Sequence, residues 1–337
     1  MAELAHSRVT IREVAEEAGV SIATVSRVLN GRDDVAPETR ELVSRIAQER
    51  GYIANRGARG LSAGRTGLVG LLVPLVYPVY FSAILSGATE ALQEHDLRAV
   101  LSPTGHEHDR EVTLLDRLMH GLTDGALIVL PEESSDELER LVDAGYRFVV
   151  IDPLMPLDER IPSVSAAHTS GADQAMRHLL ALGHRRIAII TGPHGWVATE
   201  DRRRGYHAAL AAAGILPDPE LEVESNFEID GGEQAANLLL DLPEPPTAIF
   251  AFNDNHAIGT LRAARSRGLR VPEDLSVVGF DDVPDAAVAE PPLTTISQPI
   301  VEKGRLAARL IFEAGRPRTE ILEVKLVERA STARPRP

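Results

Sequence analysis

At 337 residues, 44% of them hydrophobic and 25% charged, the chain exceeds one core of ordinary size and predicts two or three domains. Zero cysteines exclude disulfides, thiolate zinc sites and cysteine nucleophiles; with no apolar run of about 18 residues and no signal-peptide pattern in MAELAHSRVTIREVAEEAGV, a cytoplasmic protein without a membrane partner is expected. The formal charge of −15 is uneven: residues 1–65 hold ten Arg against nine Asp and Glu, a balance of +1, which leaves −16 on the remainder, so only the N-terminal piece can approach a polyanion without large repulsion. Of the 35 basic residues only Lys303 and Lys325 are lysines, which reads as a bias of codon usage rather than a functional signal.

The N-terminal piece reads as three short helices. Thr10 and Glu13 form an S/T-x-x-E capping box, so a helix starts at Ile11 with Val14, Ala15 and Ala18 on its apolar face, and Gly19 supplies the positive φ that stops it. Ser21 caps a second helix from Ile22 to about Asn30, which buries Val25, Val28 and Leu29. Pro37 opens a third, PETRELVSRIAQERG, whose Leu42, Val43, Ile46 and Ala47 close a small core before Gly51. Two helices joined by a four-residue turn make a helix-turn-helix, whose second helix can enter the major groove of DNA.

VTIREVAEEAGVSIATVSRVLN and TRELVSRIAQERGYIANRGARGL closely resemble the Lac repressor (LacI/GalR) family of bacterial transcription regulators, at turn, caps and core alike. The resemblance implies base-reading positions at Ile22, Ala23 and Arg27, and phosphate-contacting positions at Ser21, Thr24, Ser26, Asn30, Tyr52 and Asn55. These residue types suit those roles: short hydroxyl and amide side chains at a helix N-terminus bind phosphate, and one Arg donates two hydrogen bonds to guanine. Ile22 and Ala23 depart from polar readers and offer apolar contact, as to a thymine methyl. In the family, the N-x-x-A-x-x-L stretch that follows is a hinge, helical on DNA; Ala58 and Leu61 match its minor-groove positions, with Leu61 as a wedge. Gly57 and Gly60 depart from better helix formers, at a cost of about 0.8–1 kcal/mol each relative to Ala.

From Gly67 the pattern changes to short apolar runs alternating with amphipathic stretches: TGLVGLLVP, RAVLSP, GALIVLP, RFVVIDP, then RRIAIITG, TAIFAFND and LSVVGFDD. That alternation predicts parallel sheets in doubly wound α/β units. The whole reads as an all-α helix-turn-helix headpiece on a two-lobed α/β core with parallel sheets, similar to periplasmic binding proteins of type I. The expected divisions are 1–53 for the head, 54–66 for the hinge and 67–337 for the core. Within the core, one lobe takes about 67–164 plus 299–317 and the other about 165–298 plus 318–333.

Ligands of open α/β sheets gather at the carboxyl ends of the strands. Those ends deliver Tyr80 and Phe81, Asp152, Trp196 with Arg202, Phe227, Asn253 and Asp281. The family's effector contacts map onto Asp152, Arg202, Phe227, Asn253 and Asp281, while Trp196 offers a flat face to a sugar ring. TGHEHDREV holds His106, His108 and Asp109, yet it is not H-E-x-x-H and falls short of a metal site; no metal and no cofactor are expected. Phosphate loop, nucleophile elbow and zinc motif are all missing, which argues against an enzyme. The expected protein is a homodimeric repressor released from a palindromic operator by a small carbohydrate. The alternatives are a corepressor-dependent, purine-type regulator and a sugar-binding or glycoside-processing protein.

Overall fold

The computed structural model describes residues 9–29, 31–52, 65–313 and 317–336, so Asn30, Asn55, Ala58 and Leu61 lie outside the described residues. The chain divides into one unit ending at Thr66 and another beginning at Gly67.

In the first unit, α1 runs Ile11–Ala18, α2 Ile22–Leu29 and α3 Pro37–Glu49. The capping box of α1 is formed in both directions: Glu13 N donates to Thr10 Oγ1 at 3.4 Å, and Thr10 N to Glu13 Oε2 at 2.7 Å. Gly19, at φ 64°, ends α1, and Ser21 Oγ accepts from Thr24 N at 3.1 Å to begin α2. Val14, Ala15, Ala18, Val25, Val28, Val43, Ile46 and Ala47 form the shared core. Local capping sets the angle between the first two helices, and that small core holds it.

The second unit contains two six-stranded sheets. The first is built from β1 Leu68–Val73, β2 Arg98–Pro103, β3 Ala126–Val129, β4 Phe148–Ile151, β5 Ser163–Ala166 and β11 Thr319–Leu322, in the order β11-β5-β4-β3-β1-β2 and parallel throughout. The second holds β6 Ile187–Thr191, β7 Glu222–Glu224, β8 Ala248–Ala251, β9 Ser276–Asp281, β10 Thr294–Ser297 and β12 Lys325–Val327, ordered β12-β10-β9-β8-β6-β7, with only β12 antiparallel. Central strands such as ALIV, FVVI and AIFA are buried at every position, as parallel strands covered on both faces must be.

Helices α4 Val79–Glu94, α5 His108–Arg117 and α6 Ser135–Asp143 accompany the first sheet; α7 His168–Leu182, α8 Val197–Ala212, α9 Ile229–Leu240, α10 Asp254–Ser266 and the short α11 Pro284–Val288 accompany the second. Helix α12, Ile300–Leu310, returns to the first lobe, where Ile300, Ala307 and Ala308 join the core formed with α4 and β1. The third passage between lobes falls later than the sequence suggested. Thr319–Leu322 still pairs with β5, so the segment 318–333 belongs to the second lobe only after Leu322. Likewise β5 extends the first lobe past residue 164, to Ala166. Strand β11 is a half-exposed edge with no buried apolar run, so its TEIL carries little sheet signal.

Beside the first sheet two acids are sealed together: Glu111 is 1% exposed and Glu133 4% exposed, and neither carboxylate oxygen of Glu133 has a hydrogen-bond partner. Burial raises both carboxyls, Glu111 to about 7 and Glu133 to about 8, the latter pushed further by the Glu111 charge. The folded chain therefore keeps protons that the unfolded chain sheds near the ordinary value of 4.5, and stability falls as pH rises through that window. Melting temperature is expected to decline from about pH 5 to about pH 8, and Glu133→Gln to flatten the decline by supplying a permanent donor to Glu111. An unchanged slope in a calorimetric pH series of that variant would assign the loss elsewhere.

Candidate functional site

On the first unit, α2 leaves one side unburied. Ile22, Ala23 and Arg27 are exposed there, with Ile22 at 44%, while Val25 and Val28 hold the helix to the core. Ser21 and Thr24 join through their hydroxyls at 2.9 Å; Ser26 is half-buried, and Tyr52 packs against the head's core. Arg27 Nε lies 3.7 Å from Asp34 Oδ2, with both side chains well exposed. An exposed pair of this kind is worth about 0–1 kcal/mol, so Asp34 orients the guanidinium without tying it down.

In the second unit, the strand ends of both sheets meet at a cavity of about 370 Å³. All eight residues placed there from the sequence line it: Tyr80, Phe81, Asp152, Trp196, Arg202, Phe227, Asn253 and Asp281. Beneath them lies a network of charges. Lys303 Nζ donates to Asp152 Oδ1 at 2.7 Å and Oδ2 at 2.9 Å, to Tyr80 Oη at 3.0 Å and to Gln298 Oε1 at 2.7 Å. The amide of Gln298, so oriented, donates from Nε2 to Asp281 Oδ1 at 2.5 Å. Arg202 Nη2 lies 3.8 Å from the same Oδ1 and 3.2 Å from His168 Nδ1, and Nη1 donates to the Phe252 carbonyl. Ser165 Oγ, 3.4 Å from both His168 Nε2 and Asp152 Oδ1, closes the circuit.

Burial acts on five members of this network. It lowers Lys303, Arg202 and His168, the last kept neutral further by the neighbouring Arg202 and Lys303 charges. It raises Tyr80, and it raises Asp281 to about 6 against the opposing pull of Arg202 and Gln298. Asp152 and Asp281 sit at φ 52° and φ 119°, sparsely populated for residues other than glycine and costing of order 1–3 kcal/mol each. The network over-determines both turns and so keeps the carboxylates aimed at the cavity.

The walls are apolar and aromatic. Trp196 leans on Phe227 at an interplanar angle of 33° with centroids 5.6 Å apart, and Phe227 stacks on His256 at 5.4 Å. The Phe227 ring lies where a Cβ on residue 192 would stand, 2.0 Å from its nearest atom, so Gly192 is what admits it. Asn253 caps α10, accepting from His256 N at 2.8 Å and donating from Nδ2 to the Phe227 carbonyl at 3.1 Å. Asp254 is sealed behind it, accepting from Thr295 Oγ1 at 2.5 Å and Val283 N at 2.9 Å, and burial raises its carboxyl well above the ordinary range.

Comparison with known proteins agrees with this construction in both units. Residues 10–55 match the pattern of bacterial regulatory proteins of the lacI family, and residues 176–332 match the periplasmic binding protein-like domain. The transcriptional regulator CelR of Thermobifida fusca is 38% identical over 338 residues, covering 96% of this chain and 98% of that protein. The chain belongs to the LacI family of bacterial regulatory proteins. Another member, the transcriptional repressor CytR of Escherichia coli K12, is 33% identical over 331 residues, covering 96% of each chain. Among solved LacI-family structures, the Lac repressor dimer bound to operator and the anti-inducer ONPF superposes with a TM-score of 0.87 at 30% identity, covering 97% of this chain and 100% of that one. A CelR–cellobiose complex gives 0.74 at 37%, covering 96% and 100%.

Four network members were not read from the LacI-family sequence pattern as site residues: Lys303, Gln298, His168 and Ser165. Lys303 did leave a trace, because in IVEKGRLAARL it occupies the apolar stripe of Ile300, Gly304 and Ala307. His106 and His108 of TGHEHDREV face different glutamates, Glu132 at 3.2 Å and Glu137 at 3.1 Å, and His106 lines the cavity. Asp282, next to Asp281, turns instead to Arg329 at 2.6 Å. Arg202 holds Asp281 and a backbone carbonyl at once, so Arg202→Ala is expected to cost about 3–5 kcal/mol of stability, measured by denaturant unfolding, in addition to any effect on ligand. A loss below about 1 kcal/mol would mean that water replaces the guanidinium without penalty.

Proposed function

We propose that this LacI-family chain is a homodimeric repressor, released from an inverted-repeat operator when an uncharged carbohydrate fills the cavity. The observation that carries the reading is the cavity wall: Asp152, Asn253 and Asp281 offer acceptors at fixed strand ends, and the adjoining Trp196 and Phe227 rings offer apolar faces. Hydroxyls on an apolar ring frame are the complement of that surface. The comparisons support the same reading, since CelR is known in complex with cellobiose and the Lac repressor as a dimer on operator. In the first unit, Ile22, Ala23 and Arg27 read base edges, while Ser21, Thr24, Ser26 and Tyr52 hold phosphate; Asn30, Asn55, Ala58 and Leu61 extend that set outside the described residues.

Release requires that the ligand bind the DNA-free form better than the DNA-bound one, because equal affinity shifts nothing. The test is a competition on an operator selected from random duplexes, with cellobiose and other neutral mono- and disaccharides added to the formed complex. Release by one of them is the expected result. Tighter operator binding would replace induction by corepression, and indifference to every sugar, with no melting shift, would sink the carbohydrate reading. Trp196→Ala is expected to weaken the active sugar about tenfold, equivalent to about 1.4 kcal/mol, with operator affinity unchanged. Arg27→Ala is expected to cost about 1–3 kcal/mol on the selected operator and much less on random DNA, leaving sugar affinity intact.

A further inference from the structure

The floor of the cavity sets two carboxylates, Asp152 and Asp281, against two cations, Lys303 and Arg202, with a third acid, Asp254, whose carboxyl burial raises well above the ordinary range, and each cation already has its counter-charge. Lys303, 0% exposed, lies beneath the floor and is committed to Asp152; Arg202 sits beside Asp281 and gives its other donors to Phe252 and His168. The remaining basic side chains among the described residues of the wall are His168, which burial keeps neutral, and His106, which faces Glu132. Glu228 and Asp285 also line the cavity, and neither brings positive charge to it. An anionic ligand entering this site would lose its hydration and meet no cation free to replace it.

We infer that Lys303, acting through Asp152 and Gln298, sets the specificity of the cavity for uncharged ligands over their phosphorylated counterparts. Its ammonium offsets the Asp152 charge as Arg202 offsets that of Asp281, and it turns the Gln298 amide so that the donor faces Asp281. Lys303 is a positioning residue, since it does not line the cavity itself. The inference rests on the carbohydrate reading and deepens it, naming which sugars the site refuses.

The experiment uses the full chain and measures affinity, by calorimetry and melting shift, for neutral mono- and disaccharides and for their 6-phosphates, with inorganic phosphate as a separate probe. The wild type is expected to bind a neutral sugar at least about tenfold more tightly than its 6-phosphate, and to show no shift with inorganic phosphate. Asp152→Asn removes a negative charge and leaves Lys303 in place, so the preference is expected to narrow about threefold or more; Lys303→Met removes the positive charge, so it is expected to widen. Both substitutions break the same ion pair, hence a purely structural role would move both ratios the same way. The double variant Asp152→Asn/Lys303→Met carries neither charge; its preference is expected to return towards that of the wild type, and its melting temperature to exceed that of Lys303→Met. A 6-phosphate binding as tightly as its neutral parent, or single variants whose ratios move together, would overturn the inference while the carbohydrate reading stands. Binding by no sugar of either series would overturn both.

Discussion

The cavity floor of the second unit depends on a balance of buried charge, Asp152 and Asp281 against Lys303 and Arg202. Removing an ion from water costs several kcal/mol, and only close opposite charge with full hydrogen bonding offsets that cost. Lys303 meets this condition with four contacts between 2.7 and 3.0 Å. The members of the network come from both sides of the lobe boundary: Tyr80 and Asp152 from the first sheet's side, Arg202 and Asp281 from the second's, and Ser165, His168, Gln298 and Lys303 from the segments beside two of the passages between lobes. The charge balance that makes the floor stable is therefore also what ties one lobe to the other.

This arrangement explains why strained backbone is concentrated there. Asp152 and Asp281 both lie at positive φ, where an aspartate is tolerated only if its surroundings hold it. Lys303 and Ser165 hold the first, Gln298 and Arg202 the second. A ligand hydroxyl that competes for either carboxylate acts on a turn already under tension, and the next groups in line are those at the lobe passages. Small changes at the cavity thus have a short physical route to the relative position of the two sheets.

Much of this was legible in the residues because the signals are local. The capping box at Thr10, the stop at Gly19 and the cap at Ser21 depend on neighbours within three or four positions, and the head follows from them. Apolar runs such as RFVVIDP and LSVVGFDD gave the buried strands, and the rule that ligands gather at strand ends gave Asp152 and Asp281. Lys303 was not legible as a site residue, since its partner Asp152 lies 151 positions away and a lysine on a helix ordinarily reads as solvated. Its rarity in the composition pointed towards codon usage, whereas its place in an apolar stripe pointed inward, and the second signal was the physical one. Strand β11 escaped for the opposite reason: an edge strand needs no buried run, so nothing in TEIL separates it from a loop.

The burial of Lys303 also makes it a reporter. The chain has two lysines, and Lys325 is exposed while Lys303 is sealed. An amine-directed reagent therefore meets Lys325 at the surface in the native state, but reaches Lys303 only when α12 lifts away from α4 and the floor comes open. The ratio of labelling at the two positions, followed over time, counts those openings, with the faster-reacting lysine as the clock against which the slower one is read.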